Sequence, residues 1–122
     1  MKKFLILFLF LSACSNDLPS EISPADLKQD ALILDVRTPA EHQAASLAQD
    51  HWLVPLDKLN ASAFIAEHKL DGTKPLYILC RSGKRAGKAA QQFKQAGFKK
   101  AVVIQGGIIA AEKAGLRIKK AK

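Results

Sequence analysis

Cysteine and aromatic residues are scarce in this chain, and acidic residues are outnumbered by basic ones. Its 122 residues include two cysteines, one tryptophan and one tyrosine, with 11 acidic against 19 basic side chains and a formal net charge of +8. A disulfide between Cys14 and Cys80 is the alternative to two free cysteines, but each cysteine lies in its own sequence context and the two contexts imply different fates. The basic residues are not interleaved with aromatic ones, so no nucleic-acid-binding face is predicted. The positive charge suits an anionic membrane surface or a small anionic substrate.

Long apolar runs are also missing, and the longest one lies at the N-terminus. Residues 4–11 are wholly apolar and follow Lys2 and Lys3. This run is too short for a transmembrane helix, which needs about 20 apolar residues. The layout is that of a signal peptide, predicted over residues 1–13.

The apolar run ends in Leu-Ser-Ala followed by Cys14, which resembles the lipobox of bacterial lipoproteins. The resemblance implies acylation of Cys14 and a lipid anchor in the membrane. Residues 14–24 would then be the lipidated cysteine and a tether. The implied location is the bacterial cell envelope, facing the periplasm, and the outer membrane where one exists, because Ser15 follows the cysteine. The alternative is an ordinary signal peptide cleaved near Ala13.

The remaining residues, about 25–119, are long enough for one domain. Apolar runs predict strands at residues 31–36, 52–54, 76–79 and 101–104. Helices are predicted from a cap at Thr38 and over residues 57–69, 85–97 and 108–114. The last ten residues carry five positive charges and are expected to form a frayed basic tail. Strands alternating with helices predict an α/β fold with a mainly parallel central sheet.

Cys80 follows the third predicted strand and precedes a predicted helix, the position where ligands bind in such sheets. A helix N-terminus and nearby cations favour the thiolate, which is the reactive form of cysteine. Cys80 is therefore the candidate nucleophile. The candidate substrate-binding residues are Arg81, Ser82, Gly83, Lys84 and Arg85. The alternative is a buried cysteine that serves as a small hydrophobic side chain.

Four segments together resemble a single-domain rhodanese, a thiosulfate sulfurtransferase-like protein. They are Leu-Asp-Val-Arg-Thr-Pro-Ala-Glu at 34–41, Tyr-Ile-Leu-Cys-Arg-Ser-Gly-Lys-Arg at 77–85, Ala-Gly-Phe at 96–98 and Gly-Gly at 106–107. The resemblance spans about residues 22–118 and implies a three-layer rhodanese-like domain. It also implies that the cysteine takes a sulfane sulfur from a small anionic donor such as thiosulfate. The persulfide would pass that sulfur to cyanide or a thiol, with no metal or organic cofactor.

The resemblance further implies that the loop backbone cradles the sulfur while Arg81 and Arg85 help to orient the donor. Three upstream residues, Asp35, Arg37 and Glu41, correspond to supporting ion pairs, for which a purely structural role is expected.

The loop length argues against a phosphatase or arsenate reductase with a cysteine nucleophile. Four residues separate Cys80 from Arg85, whereas such phosphatases have five residues between the cysteine and the arginine.

The chain also departs from the rhodanese pattern at three places. Residues 46–51 lack a Gly-His-Ile-like stretch, Ala86 replaces a frequent serine, and Ala111 stands near the place of a common tryptophan. The alternative function is a non-catalytic binding module or a slow persulfide carrier. Structural or solvent roles are predicted for the three histidines, His42, His51 and His68.

Overall fold

The computed structural model describes residues 20–122. The predicted signal peptide, Cys14 and most of the predicted tether lie outside these residues. The strands are β1 (Glu21–Ile22), β2 (Leu32–Asp35), β3 (Ala45–Leu47), β4 (Trp52–Leu53), β5 (Leu76–Leu79), β6 (Ala101–Ile104) and β7 (Ile118–Lys120). The α-helices are α1 (Pro39–Ala44), α2 (Ala61–Glu67), α3 (Lys84–Gln95) and α4 (Gly107–Lys113).

Five strands form a parallel sheet in the order β1-β6-β5-β2-β4. Because side chains alternate along each strand, the sheet has two apolar faces. On one face, Leu34 and Ile78 pack in a cluster with α2 and α3. On the other face, Ile33 and Leu79 pack with α4 and the strands β3 and β7. The predicted α/β, three-layer architecture is confirmed.

Small side chains let α3 approach the sheet closely. Its buried residues are Ala86, Ala89, Ala90 and Phe93, spaced as one helical face. Phe93 contacts Phe64 of α2 edge to face, with ring centroids 5.7 Å apart. This packing fixes the direction of α3, and therefore the place where its N-terminus meets the end of β5.

The predicted cap of α1 is confirmed. The Thr38 hydroxyl accepts a hydrogen bond from the Glu41 backbone N–H at 3.2 Å, and Pro39 is the first helical residue. The Glu41 carboxylate in turn accepts a hydrogen bond from the Thr38 N–H at 3.4 Å. This capping box starts α1 directly after β2 and so brings Glu41 to the carboxyl end of the sheet.

The helix predicted over residues 57–69 is wrong in its extent. The chain forms a short 3-10 helix, Leu56–Lys58, and then α2. Asn60 separates the two, because its side chain accepts a hydrogen bond from the Ala63 N–H at 3.0 Å and caps α2.

Both ends of the domain are more ordered than predicted. Glu21–Ile22, assigned to the tether, forms an edge strand parallel to β6. Ile118–Lys120, assigned to a frayed basic tail, pairs antiparallel with β3. Within residues 20–122, no helix is long and apolar enough to cross a membrane.

Candidate active site

Cys80 lies directly after β5, where both its backbone carbonyl and its sulfur accept hydrogen bonds. It is a free cysteine with 1% of its surface exposed. Its carbonyl accepts a hydrogen bond from the Ile108 N–H at 2.8 Å. Its Sγ accepts a hydrogen bond from the Gly83 N–H at 2.9 Å. A backbone N–H directed at the sulfur can stabilise negative charge that develops there during a reaction.

The loop turns into α3 through a left-handed residue. Gly83 has φ 110° and is the N-cap of α3. In the chain from residue 20 onward, no side chain caps this helix. The backbone N–H groups of its first turn therefore have no side-chain acceptor at this end. The N-terminus of a 12-residue helix and the Gly83 N–H together favour negative charge beside Cys80.

Gly107, the first residue of α4, packs against the backbone of Cys80 and Arg81. A Cβ atom at this position would lie 2.2 Å from the Cys80 carbonyl oxygen and 2.5 Å from the Arg81 carbonyl oxygen. Its φ is 59°, so glycine is favoured on two grounds. Gly107, part of the Gly-Gly segment that contributes to the family resemblance, thus allows α4 to approach the backbone of Cys80 and Arg81 closely.

Arg85 is held by Glu41, which lies 44 residues earlier on α1. Two hydrogen bonds, at 2.7 and 2.8 Å, join the guanidinium to both carboxylate oxygens. The side chains are 32% and 30% exposed. The guanidinium that was expected to orient a donor is therefore bound bidentately to a carboxylate, and it ties α3 to α1 across the site. The other loop side chains, those of Arg81, Ser82 and Lys84, are exposed.

This ion pair changes the titration of both partners. The Arg85 hydrogen bonds are the main cause that lowers the pKa of Glu41 to about 2, with further contributions from Thr38 and partial opposition from burial. The same hydrogen bonds raise the pKa of Arg85 above its ordinary value, and the nearby Cys80 contributes less.

Glu41→Gln is expected to destabilise the domain by about 1–2 kcal/mol at neutral pH, an amount reduced by solvent screening of the half-buried pair. Glutamine can keep the capping box, so the change isolates the charge. Because the folded pKa of Glu41 is lowered from 4.5 to about 2, its stabilisation is present above pH 4.5 and is lost as the pH falls to about 2. Urea unfolding at several pH values measures this.

Glu112→Gln is the matched control, because Glu112 pairs with Lys120 at an exposed site. It is expected to change the free energy of unfolding by less than about 0.5 kcal/mol. A Glu41→Gln effect that stays constant down to pH 2 would contradict the assignment to the ion pair.

Asp35 and Arg37 form a second, fully buried pair beneath α1. Their side chains are 0% and 3% exposed, and the guanidinium reaches the carboxylate at 2.8 Å. Arg37 also donates to the Ala45 carbonyl at 2.7 Å. Throughout residues 20–122, every buried side-chain polar atom has a hydrogen-bond partner. The pair therefore holds α1 and β3 in place next to the site. This contact is consistent with the purely structural role expected for Asp35 and Arg37.

The histidines fall into two environments. The ring of His68 packs on Trp52 and Phe64, with centroids 4.6 and 4.3 Å away. His42 and His51 instead face one another, with their Nε2 atoms 2.7 Å apart. Burial, with a smaller contribution from His51, lowers the pKa of His42. Sequence reasoning missed this pairing, because His42 lies in the last turn of α1 and His51 directly precedes β4, with no spacing signal between them.

Comparison with known proteins identifies the family and the fold. The profile of the family described as Rhodanese-like domain matches residues 22–114. A protein named Sulfurtransferase from Allochromatium vinosum is 32% identical over 90 residues, 74% of this chain and 79% of its own length. The uncharacterized protein slr1261 of Synechocystis is 38% identical over 115 residues, 90% of this chain, which spans only 62% of that protein.

Solved structures agree on the fold. The rhodanese-like domain of Alr3790 from Anabaena superposes with a TM-score of 0.70 at 18% identity, covering 85% of this chain and 81% of that one. The match over most of the domain and the parallel sheet that carries Cys80 at a strand end lead to one assignment. The chain belongs to the rhodanese-like family, a sulfurtransferase-type family.

Proposed function

We propose that this protein is a sulfurtransferase that moves a sulfane sulfur from a donor such as thiosulfate to cyanide or a thiol, through a persulfide on Cys80. The observation that carries the proposal is the setting of the Cys80 Sγ. It accepts a hydrogen bond from the Gly83 N–H at 2.9 Å and lies at the N-terminus of α3. These groups would stabilise a thiolate and, after transfer, a persulfide anion.

The two half-reactions balance without a cofactor. The Cys80 thiolate attacks the outer sulfur of thiosulfate, forming a new S–S bond as the S–S bond of thiosulfate breaks. Sulfite leaves with the electron pair. Cyanide carbon then attacks the terminal sulfur, the persulfide S–S bond breaks, and thiocyanate leaves while the thiolate is restored.

Burial and charge define which donors suit the site. Cys80 is 1% exposed, so a small donor is favoured over a protein side chain. Arg81 and Lys84 are exposed on the loop and give its surface positive charge, which attracts an anion. Because Arg85 is bound to Glu41, we assign donor attraction to Arg81 and Lys84, and loop positioning to Arg85.

The competing function is a binding module that does not turn over. One observation favours it: Cys80 belongs to the apolar cluster that joins the sheet to α2 and α3. In that case the cysteine would be a core side chain, and the basic loop would only bind an anion.

We also propose that the protein is a lipoprotein of the cell envelope, facing the periplasm and anchored through Cys14. The support is the sequence alone: the apolar run at 4–11, the two lysines before it, and the Leu-Ser-Ala-Cys end.

Intact-mass spectrometry tests both proposals on one sample. Protein isolated from its own cells is expected to begin at an acylated Cys14. After incubation with thiosulfate, its mass is expected to rise by one sulfur atom, and added cyanide is expected to remove this sulfur as thiocyanate. An unmodified Cys14 would overturn the anchor. Absence of sulfur uptake and of thiocyanate would overturn the transferase and favour the binding module.

A further inference from the structure

We propose that His42 and His51 form a binding site for a divalent transition-metal cation of the Zn²⁺ class. The site is separate from the Cys80 loop and does not depend on the proposed sulfur transfer. The two Nε2 atoms are 2.7 Å apart. One ligand atom from each of His42, His51 and Asp35 lies within 4.8 Å of the others. The pair joins the end of α1 to the residue just before β4.

The tautomer of His51 is set by its backbone partner. Its Nδ1 lies 2.7 Å from the Gln49 carbonyl oxygen. Since a carbonyl can only accept, Nδ1 carries the proton and Nε2 presents a lone pair toward His42. The Nε2 of His42 therefore donates the shared hydrogen bond, and on metal binding this proton leaves Nε2 while Nδ1 of His42 keeps or takes one. A ring nitrogen that donates to a carbonyl while the other nitrogen faces a shared site is the usual arrangement around a metal-bound histidine.

The spacing requires only a small adjustment. Two nitrogens bound tetrahedrally to one Zn²⁺, each at about 2.0–2.1 Å, lie about 3.3 Å apart. The two rings would therefore separate by about 0.6 Å. Both residues are half-buried, and their ring centroids are 5.0 Å apart, so rotation about their side-chain bonds can provide this separation.

The surroundings define what kind of site this is. Asp35 is buried and negative, but both of its oxygens already accept hydrogen bonds from Arg37. Asp35 is therefore not a direct ligand, and Arg37 offsets its charge. Asp50 and Lys119 line the same recess and are exposed, so Lys119 can turn its charge away. Two imidazoles with water in the remaining positions describe an exchangeable site, weaker than a four-ligand structural zinc site.

Zinc chloride titrated calorimetrically into the full chain in detergent tests the proposal. The titrated protein carries Cys80→Ser, which removes the thiolate as a rival ligand and keeps the result independent of sulfur transfer. One equivalent of Zn²⁺ is expected to bind. Adding His42→Gln or His51→Gln is expected to weaken binding by at least about 10-fold. His68→Gln, at the third histidine, is the matched control and is expected to leave binding unchanged.

A second measurement needs no variant at the site. In histidine-ring ¹⁵N spectra, Zn²⁺ is expected to shift the Nε2 signals of His42 and His51 and to leave those of His68 in place. Saturable binding with these shifts supports the site. Lack of saturable binding, binding that survives His42→Gln, or shifts confined to His68 would overturn it and leave His42 and His51 as a hydrogen-bonded pair only.

Discussion

Cys80→Ser is expected to reduce thiocyanate formation from thiosulfate and cyanide to the uncatalysed background. A serine hydroxyl has a pKa far above that of a thiol and cannot form the S–S bond that stores the sulfur. The fold is expected to persist, because the hydroxyl can still accept the hydrogen bond that Gly83 N–H donates to Sγ in the native protein. A thiocyanate assay and a thermal unfolding curve on the same preparation measure the two effects.

The chain offers a matched cysteine substitution as a control. Cys14 lies outside the domain matched by the family, which covers residues 22–114. Cys14→Ser, assayed in detergent, is expected to keep the activity of the natural protein. If Cys80→Ser retained activity within about tenfold of the natural protein, covalent transfer through this sulfur would be wrong, because a covalent route cannot proceed without its nucleophile. The basic loop would then have to act by binding alone.

The sequence predicted those parts of the site whose structure is determined by residues close together in the chain. The capping box between Thr38 and Glu41 is written within four consecutive residues, and its two hydrogen bonds form as the pattern predicts. The strand that delivers Cys80 is a continuous apolar run, Leu76–Leu79, and matches its prediction at both ends. In each case the signal and the structure involve neighbouring residues.

Arg85 shows what this reasoning does not reach. Contact between Arg85 and a donor was implied by the family resemblance and stays a prediction. The structure adds an ion-pair partner, Glu41, which lies 44 residues away and is brought near only by the packing of α1 and α3. The prediction of a frayed tail at β7 was wrong for a related reason. Its sequence, Ile-Lys-Lys, has almost no apolar signal, and it becomes a strand because β3 offers a backbone partner. Such features depend on tertiary placement, which spacing along one chain does not report.

Gly107→Ala is expected to destabilise the domain by about 2–4 kcal/mol and to lower sulfur-transfer activity by about 10²-fold. Left-handed backbone at a residue with a side chain costs about 1–3 kcal/mol, and overpacking adds a similar amount. The new Cβ would lie 2.2 Å from the Cys80 carbonyl oxygen, where real Cβ contacts stay above 3.0 Å, so the loop or α4 must shift by about 0.8 Å. A displacement of about 1 Å at a reacting group can cost about 10²-fold in rate.

Gly115→Ala separates the contact from the backbone strain. Gly115 has φ 88°, also in the left-handed region, but a Cβ there would meet nothing within 4 Å. It is expected to cost only about 1 kcal/mol and to leave activity unchanged. Urea unfolding and the thiocyanate assay on both variants give the comparison. Equal effects of the two substitutions would mean that the loop yields freely to the new methyl group. A larger effect at Gly107, in stability and in rate together, would mean that the backbone of α4 holds the Cys80 loop in its reactive position.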